Sequence, residues 1–448
     1  MDWLSRATHH HLFHRDKPSP ESATLGILAF ETAKTMSRLV SLYKSLTDEE
    51  IVKLRKQTMR SKGVHYLNSN DQVLLLNLAC AERLEDVDLA SATVSHLGQK
   101  CSDFALNSFD LVYTDLKLGI IDIRKLDFGT RNIKKIIDKM EKLIASTATL
   151  YSALESLKEL ELSEKKIQRL SKNLGSSQPN LEYFNHKIAY QRKLVQHYKE
   201  VSLWNQTFDK SVGLMARIVC VVYARICFVF GPYISGTNYL LIDQKEKIRE
   251  RAYKSGPISK TRKTGLIGCT SCYDFGKNNR VFRMVPPSTV GGAGLSLRYA
   301  NVVLFAERFL HAPATVGDDA RGALYEMLPA KLKAMVRAKL RNNNLLKAEE
   351  KESGDESGDG HFLAEGWRDA MEEIMDWLSP LAHDTVKWQT ERNPEKKKFE
   401  SKTSILLLQT LHYSDLEKTE AAIVEVLVGL SCVYRYEKRR RYVGRDLG

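Results

Sequence analysis

Two stretches of this sequence place apolar side chains in alternating steps of four and three. The longer runs through Leu194, Tyr198, Val201, Asn205, Phe208, Val212, Met215, Val219, Val222 and Ile226. A repeat of about 3.5 residues keeps side chains on one face of an α-helix and is incompatible with the two-residue period of a strand. The spacing predicts one continuous helix over 194–226, with Asn205 the single strongly polar seam position and therefore a candidate for fixing helix register. The shorter seam, Ile136, Met140, Leu143, Thr147, Leu150, Leu154 and Leu157, predicts a second long helix with a break at Glu161. Such seams bury themselves against other helices, either within one chain or as a coiled coil between chains. Internal packing is the expectation here.

The remaining segments extend the helical pattern. Leu25, Leu28, Ala29, Met36, Leu39, Val40 and Tyr43 recur at helical spacing, and Asp71 is placed to cap a helix carrying Val73, Leu74, Leu78, Leu84 and Val87. Gly119 and the pair Gly231-Pro232 read as helix terminators. In the stretch 286–341 a proline- and glycine-rich turn precedes a helix over 295–310, in which Leu297, Val302, Leu304, Phe305 and Phe309 are expected to bury and Glu307 to face solvent. Beyond Pro329, Leu332, Met335, Val336 and Leu340 form one side of a basic amphipathic helix. A further helix through Phe362, Trp367, Met371, Ile374 and Leu378 should stop near Pro380, and Ile405, Leu406, Leu408 and Leu411 suggest another.

The fold class expected is all-α, a multi-helix bundle with long central helices and a second C-terminal helical unit. Domain limits follow from composition: a flexible leader at 1–23, an N-terminal helical domain at 24–235, and a basic linker at 236–285. A helical domain at 286–436 carries an acidic loop at 342–360, and a basic tail occupies 437–448.

Charge and cysteine usage narrow the setting. A formal charge of +13 favours acidic proteins, anionic lipid or nucleic acid by long-range attraction. Nucleic acid is disfavoured, because aromatic residues do not interleave with the basic run at 245–263 as a stacking platform requires. Seven cysteines in 448 residues, with no apolar leader at the start, fit a reducing intracellular compartment, nucleus or cytoplasm, rather than a disulfide scaffold. Asp2 stands where N-myristoylation needs glycine, so no lipidation site is assigned. The most apolar stretch, 214–234, is interrupted by Arg217 and Arg225, which reads as a buried helix and not a membrane span.

No constellation of catalytic residues emerges, and no metal or cofactor is assigned. Gly291, Gly292 and Gly294 match neither a dinucleotide fingerprint nor a Walker sequence. Cys269 and Cys272 form a C-x-x-C without the second pair that zinc requires. The pair Asp86 and Asp88 reads as a solvated polar face, and His412 with Asp415 lacks a nucleophile. What remains is surface chemistry. Lys331, Lys333, Arg337, Lys339 and Arg341 form a candidate membrane or partner surface, and Ser353 and Ser357, set among acidic residues, are candidate phosphorylation sites.

Three stretches carry a family resemblance. PSTVGGAGLSLRYANVVLFAERFL followed by DDARGALYEMLPAKLKAMVRAKLR closely resembles the plant-specific DUF668 domain. LGILAFETAKTMSRLVSLYKSLTDEEI with VHYLNSNDQVLLLNLACAERLEDV resembles the companion DUF3475 module, and WNQTFDKSVGLMARIVCVVYARICFVFG is similar to the middle of the same proteins. The resemblance covers most of 25–436 and implies a relative of the PSK SIMULATOR group, plant proteins of growth promotion and peptide-hormone signalling without an assigned enzymatic activity. On that basis the expected function is a non-enzymatic adaptor or regulator with protein partners, in the nucleus or cytoplasm or at the periphery of the plasma membrane. A peripheral module for anionic membranes is the alternative, and an unrecognised enzyme a third. Neither partner identity nor oligomeric state follows from these residues.

Overall fold

A computed structural model describes residues 23–174, 179–231, 285–311, 317–350, 359–392, 399 and 405–446. The described residues are all-α, and none lies in a β-strand. The basic run at 245–263, Cys269 and Cys272, Ser353 and Ser357 lie outside them. The helices fall into two compact units, each with its own core.

The first unit contains α1 (Ala29–Ser45), the later part of α3 (Gln72–Gly98), α4 (Phe104–Asn107) and α5 (Phe109–Lys117). It also contains α6 (Arg131–Leu174), α7 (Pro179–Val201) and α8 (Phe208–Phe230). The α6 helix, 44 residues long, forms an antiparallel hairpin with α7. Leu150 and Ala153 pack with Val195, the Gln191 side-chain amide donates to the Ala153 carbonyl at 2.9 Å, and Arg192 pairs with Glu161 at 2.9 Å. Glu161 therefore ends the apolar seam but not the helix, because its carboxylate has a cationic partner on the facing helix.

The longer seam is not one helix. It stops at Val201, passes through a 3₁₀ turn at Leu203–Asn205, and resumes as α8 at Phe208. The cause is hydroxyl capping, which offers the backbone an alternative to continued helix. Ser202 Oγ accepts from the Trp204 N–H at 3.3 Å, Thr207 Oγ1 accepts from Lys210 N–H at 3.4 Å, and Leu203 N–H donates to Thr147 Oγ1 of α6 at 3.2 Å. Phe208, Val212, Met215, Val219, Val222 and Ile226 are buried along α8 as the spacing predicts. Val201 and Asn205 are exposed at the turn, so Asn205 holds no seam register.

α8 is long and apolar enough to cross a membrane by length and composition. Arg225 shows how it is used inside the unit instead. Arg225 Nε donates to the Leu46 carbonyl at 3.0 Å, Nη2 reaches the Asp48 carboxylate at 2.5 Å, and the guanidinium lies 4.8 Å from the Phe128 ring centroid. Phe128 in turn stacks on Tyr43 at 4.3 Å, and the Tyr43 hydroxyl donates to the Phe128 carbonyl. One cation thus closes the C-terminal end of α1, whose last carbonyls have no helical partner.

The second unit contains residues 51–82, with most of α2 (Asp48–Lys56) and the start of α3. Its other helices are α9 (Ser296–His311), α10 (Asp318–Met327), α11 (Ala330–Glu350), α12 (Asp359–Arg392) and α13 (Leu416–Asp446). Tyr299, Val302, Leu332, Leu378, Leu411 and Val428 are among the side chains of one continuous core. The sequence division kept residues 51–82 with the first helices, but here they are built into this later unit. Asn68 donates to the Leu408 carbonyl at 2.6 Å and accepts from Ser414 Oγ at 2.7 Å, while Asp415 N–H donates to the Leu67 carbonyl at 2.8 Å. A Cβ on Gly63 would meet the Trp377 carbonyl at 2.4 Å, so only glycine permits this approach to α12.

Several local expectations change in the same unit. α12 runs through Pro380 because Leu378, Leu381 and Ala382 bury on both sides of it, enough to hold the helix despite the missing N–H. The stretch 405–415 forms two 3₁₀ turns, Leu407–Gln409 and Leu411–Tyr413, in place of a helix. Leu297 is exposed, and at the start of α3 the buried apolar residues are Leu75, Leu76, Ala79 and Cys80, leaving Val73 and Leu74 exposed, while Val87 farther along is buried as expected. Asp71 does cap α3, accepting from Val73 N–H at 2.8 Å.

Candidate functional site

The glycine-rich turn at 286–294 works as a scaffold. Val290 N–H donates to the Ser414 carbonyl and Gly291 N–H to the His412 carbonyl, both at 2.9 Å, while Leu416 N–H donates to Ser288. Gly294, at φ 70°, ends the turn directly before α9. The amides that a phosphate loop would present to a ligand are spent on neighbouring backbone and on the Thr289 hydroxyl. A Cβ on Gly291 would lie 2.4 Å from His412 Nδ1, which seats the half-buried imidazole against the turn. Burial pushes the His412 imidazole down to about 4, and Asp415 caps α13 by accepting from Lys418 N–H at 2.9 Å.

The basic helix α11 sits with its apolar side inward. Leu332 is fully buried, Val336 is buried, and Met335 and Leu340 pack against the core. That side cannot also enter a lipid surface without unfolding the unit. The cations divide by partner. Lys331 reaches Glu420 at 2.5 Å, Lys333 reaches Glu326 at 3.0 Å, and Lys339 pairs with Glu425. The Arg337 guanidinium lies 5.5 Å from the Tyr325 ring, and Arg341 is exposed. Three of the five candidate surface cations therefore face carboxylates of their own unit.

Those carboxylates are the residues that sequence reasoning did not find. Glu420 is buried on α13 and accepts from the Tyr299 hydroxyl at 2.9 Å as well as pairing with Lys331. Burial, with the Glu420 carboxylate beside it, raises the Tyr299 phenol above its ordinary range. The hydrogen bond to Glu420 raises the Lys331 ammonium. Glu82, also buried, accepts from Trp388 Nε1 at 3.0 Å, Arg392 Nη2 at 3.0 Å and Leu407 N–H at 2.7 Å. Glu307, expected at the surface, is largely covered. It accepts from Ser379 Oγ and faces His383 Nε2 at 2.8 Å.

Serine, glutamate and histidine meet there, but the carboxylate sits between the other two. A hydrolytic triad instead needs the imidazole on the serine hydroxyl and the carboxylate behind the imidazole. The arrangement ties α9 to α12. In the first unit the pair expected as a solvated face is bound internally. Asp86 is buried and 3.8 Å from Arg83, and Asp88 accepts from Tyr113 at 2.8 Å and Lys117 at 3.1 Å. Among the described residues, no group of three or more His, Cys, Asp or Glu side chains is placed to hold a metal ion.

Residues 289–387 match the family described as protein of unknown function DUF668, and residues 27–83 match the domain of unknown function DUF3475. The chain carries both matches. The first takes in the turn at 286–294 almost from its start and continues through most of α12. The second is divided after Glu50, its later part belonging to the unit that holds the first match. The chain is also similar to three Arabidopsis thaliana proteins. It is 26% identical to Protein PSK SIMULATOR 3 over 91% of this chain and 56% of the relative. The identity is 26% to PSK SIMULATOR 2, over 95% and 62%, and 24% to PSK SIMULATOR 1, over 91% and 55%. The chain thus spans little more than half the length of these relatives. No solved structure matches it.

Proposed function

We propose that this chain is a non-enzymatic adaptor or regulatory protein in plant growth and peptide-hormone signalling, working in the nucleus or cytoplasm through protein partners. The observation that carries this reading is the similarity to the PSK SIMULATOR proteins, which extends over 91–95% of the chain and so is not confined to one shared module. The chemistry of the described residues agrees with it. The buried acids Glu82 and Glu420 are consumed in holding helices together, and Glu307 joins α9 to α12, so none of these carboxylates is left poised for proton transfer.

The partner surface we favour on the second unit is the exposed edge of α11, Lys331, Arg337 and Arg341, with Lys333 and Lys339 turned more toward Glu326 and Glu425. Such an edge attracts acidic protein by screened charge rather than by insertion. Phosphorylation of Ser353 or Ser357 would add negative charge to a nearby stretch of sequence and compete for that edge. The peripheral-membrane alternative loses its apolar anchor, since Leu332 and Val336 are buried. The decisive experiment is capture of full-length chain from plant extract, with salt washes and nuclease treatment. A stoichiometric protein partner that survives both is expected. Recovery of none, or of material released by nuclease alone, overturns the adaptor reading.

A further inference from the structure

Helix α5 presents the wrong residues to solvent. Its buried side is Phe109, Tyr113 and Leu116, which packs toward α8 and α3 through the Tyr113–Tyr223 ring contact and the Tyr113–Asp88 hydrogen bond. In an amphipathic helix the opposite side is polar. Here Leu111 and Leu118, seven residues apart and so on one face, are 62% and 57% exposed, directly away from Phe109 and Leu116. Two further apolar side chains are exposed on the residues that flank α5. Phe104, the first residue of α4, is 81% exposed, and Ile120 is 65% exposed. Ile120 follows Gly119 at φ 71° and donates its N–H to the Asp115 carbonyl, the geometry of a glycine-terminated helix in which that residue normally folds onto an apolar side chain one turn back. The residue one turn back is Asp115, so the isoleucine has nothing apolar of its own helix to cover it.

The rim of this patch has the opposite sign to the chain as a whole. Asp110 and Asp115 flank the two leucines along α5. The nearby cations Lys117 and Arg124 are turned onto Asp88 and Asp122. An apolar stripe with an acidic rim repels an anionic membrane and favours a cationic, amphipathic helix, which supplies leucine-like side chains for the stripe and lysine or arginine for the rim. We infer that the α4–α5 face, centred on Leu111 and Leu118, docks a basic amphipathic helix of a partner protein. The inference takes the existence of a partner from the adaptor reading, and takes the place and the chemistry from α4–α5 alone.

The test uses full-length chain and a synthetic leucine–lysine amphipathic helix of about 18 residues, long enough for five turns. A leucine–glutamate helix of the same pattern and phosphatidylserine vesicles are run beside it, all at physiological salt. The lysine helix should bind at least about tenfold more tightly than the glutamate helix. Leu111→Gln with Leu118→Gln should weaken it about tenfold or more by removing apolar contact without adding charge. Asp110→Asn with Asp115→Asn should weaken it by a smaller factor that shrinks as salt is raised. All four sites are at least partly open to solvent, and an unchanged circular dichroism melt confirms folding.

Equal binding of both helices, or no loss in the double glutamine variant, overturns the inference. So does vesicle binding that the glutamine variant abolishes, which would make lipid the occupant. Capture of the extract partner unchanged by the glutamine variant would leave the adaptor reading standing and remove only this site.

Discussion

Glu82 Oε1 and Trp388 Nε1 lie 3.0 Å apart, joining residues 306 positions apart in the chain. One comes from the DUF3475 match and the other lies just past the end of the DUF668 match. Because the carboxylate is buried and also holds the partly covered Arg392 guanidinium and Leu407 N–H, removing it breaks one side of a buried pair and leaves a buried backbone donor unmet. Glu82→Ala is expected to destabilise the second unit by about 3–5 kcal/mol, the cost of breaking a buried pair on one side. Trp388→Phe, which loses one hydrogen bond and little area, should cost about 1–2 kcal/mol. Urea unfolding followed by tryptophan fluorescence measures the first directly, and far-UV circular dichroism the second. Equal effects would show the carboxylate has no special place.

The same contacts predict that residues 285–446 do not fold alone. Without residues 51–82 the fragment exposes the sites filled by Leu67, Asn68 and Glu82. Joining 51–82 to it should restore a cooperative melt, and limited proteolysis would read the difference. A stable 285–446 fragment would contradict this.

Arg225 and Asp48 separate two kinds of ion-pair energy. The Asp48 side chain is 92% exposed, whereas Arg225 also binds the Leu46 carbonyl and the Phe128 face. Arg225→Ala should therefore cost about 2–3 kcal/mol through the lost carbonyl bond and ring contact. Asp48→Ala should cost less than about 1 kcal/mol, as exposed pairs do. Thermal melts of both variants check the ratio.

His412 gives a pH signature. Burial lowers its folded value to about 4, below the ordinary imidazole value, so between the two the unfolded chain binds the extra proton. Its contribution is fully present above about pH 6.5 and is lost as pH falls toward about 4, amounting to roughly 2–4 kcal/mol. His412→Gln should flatten that part of the stability profile. An unchanged profile would mean the acid sensitivity resides elsewhere.

Burial also pushes the Cys101 and Cys220 thiols up to about 12. Both should resist alkylation in the native protein at pH 8 and react once urea is added, as mass spectrometry of labelled peptides would show.

Periodicity located most of the helices, because a helical face must repeat wherever it is buried. It carried α1, α6 and the whole of α8. It failed between Val201 and Phe208, where apolar spacing continued while the hydroxyls of Ser202 and Thr207 turned the backbone. The same signal placed Leu332 and Val336 on one face of α11 but could not say that core, not lipid, covers them. Glu307, Glu82 and Glu420 were invisible for a simpler reason. A carboxylate in sequence looks solvated, and only distant donors such as Ser379, Trp388 and Tyr299 reveal it as buried.

By itself, the sequence determined an all-α chain, the breaks at Gly119 and Gly231, the cap at Asp71 and the resemblance to the PSK SIMULATOR proteins. Each depends on neighbours along the chain or on the order of residues. Tertiary structure alone decided that residues 51–82 join the second unit, that the cations of α11 meet Glu420, Glu326 and Glu425, and that Leu111 and Leu118 stay uncovered. Those outcomes depend on which faces meet across hundreds of residues, and local spacing carries no record of the partner face.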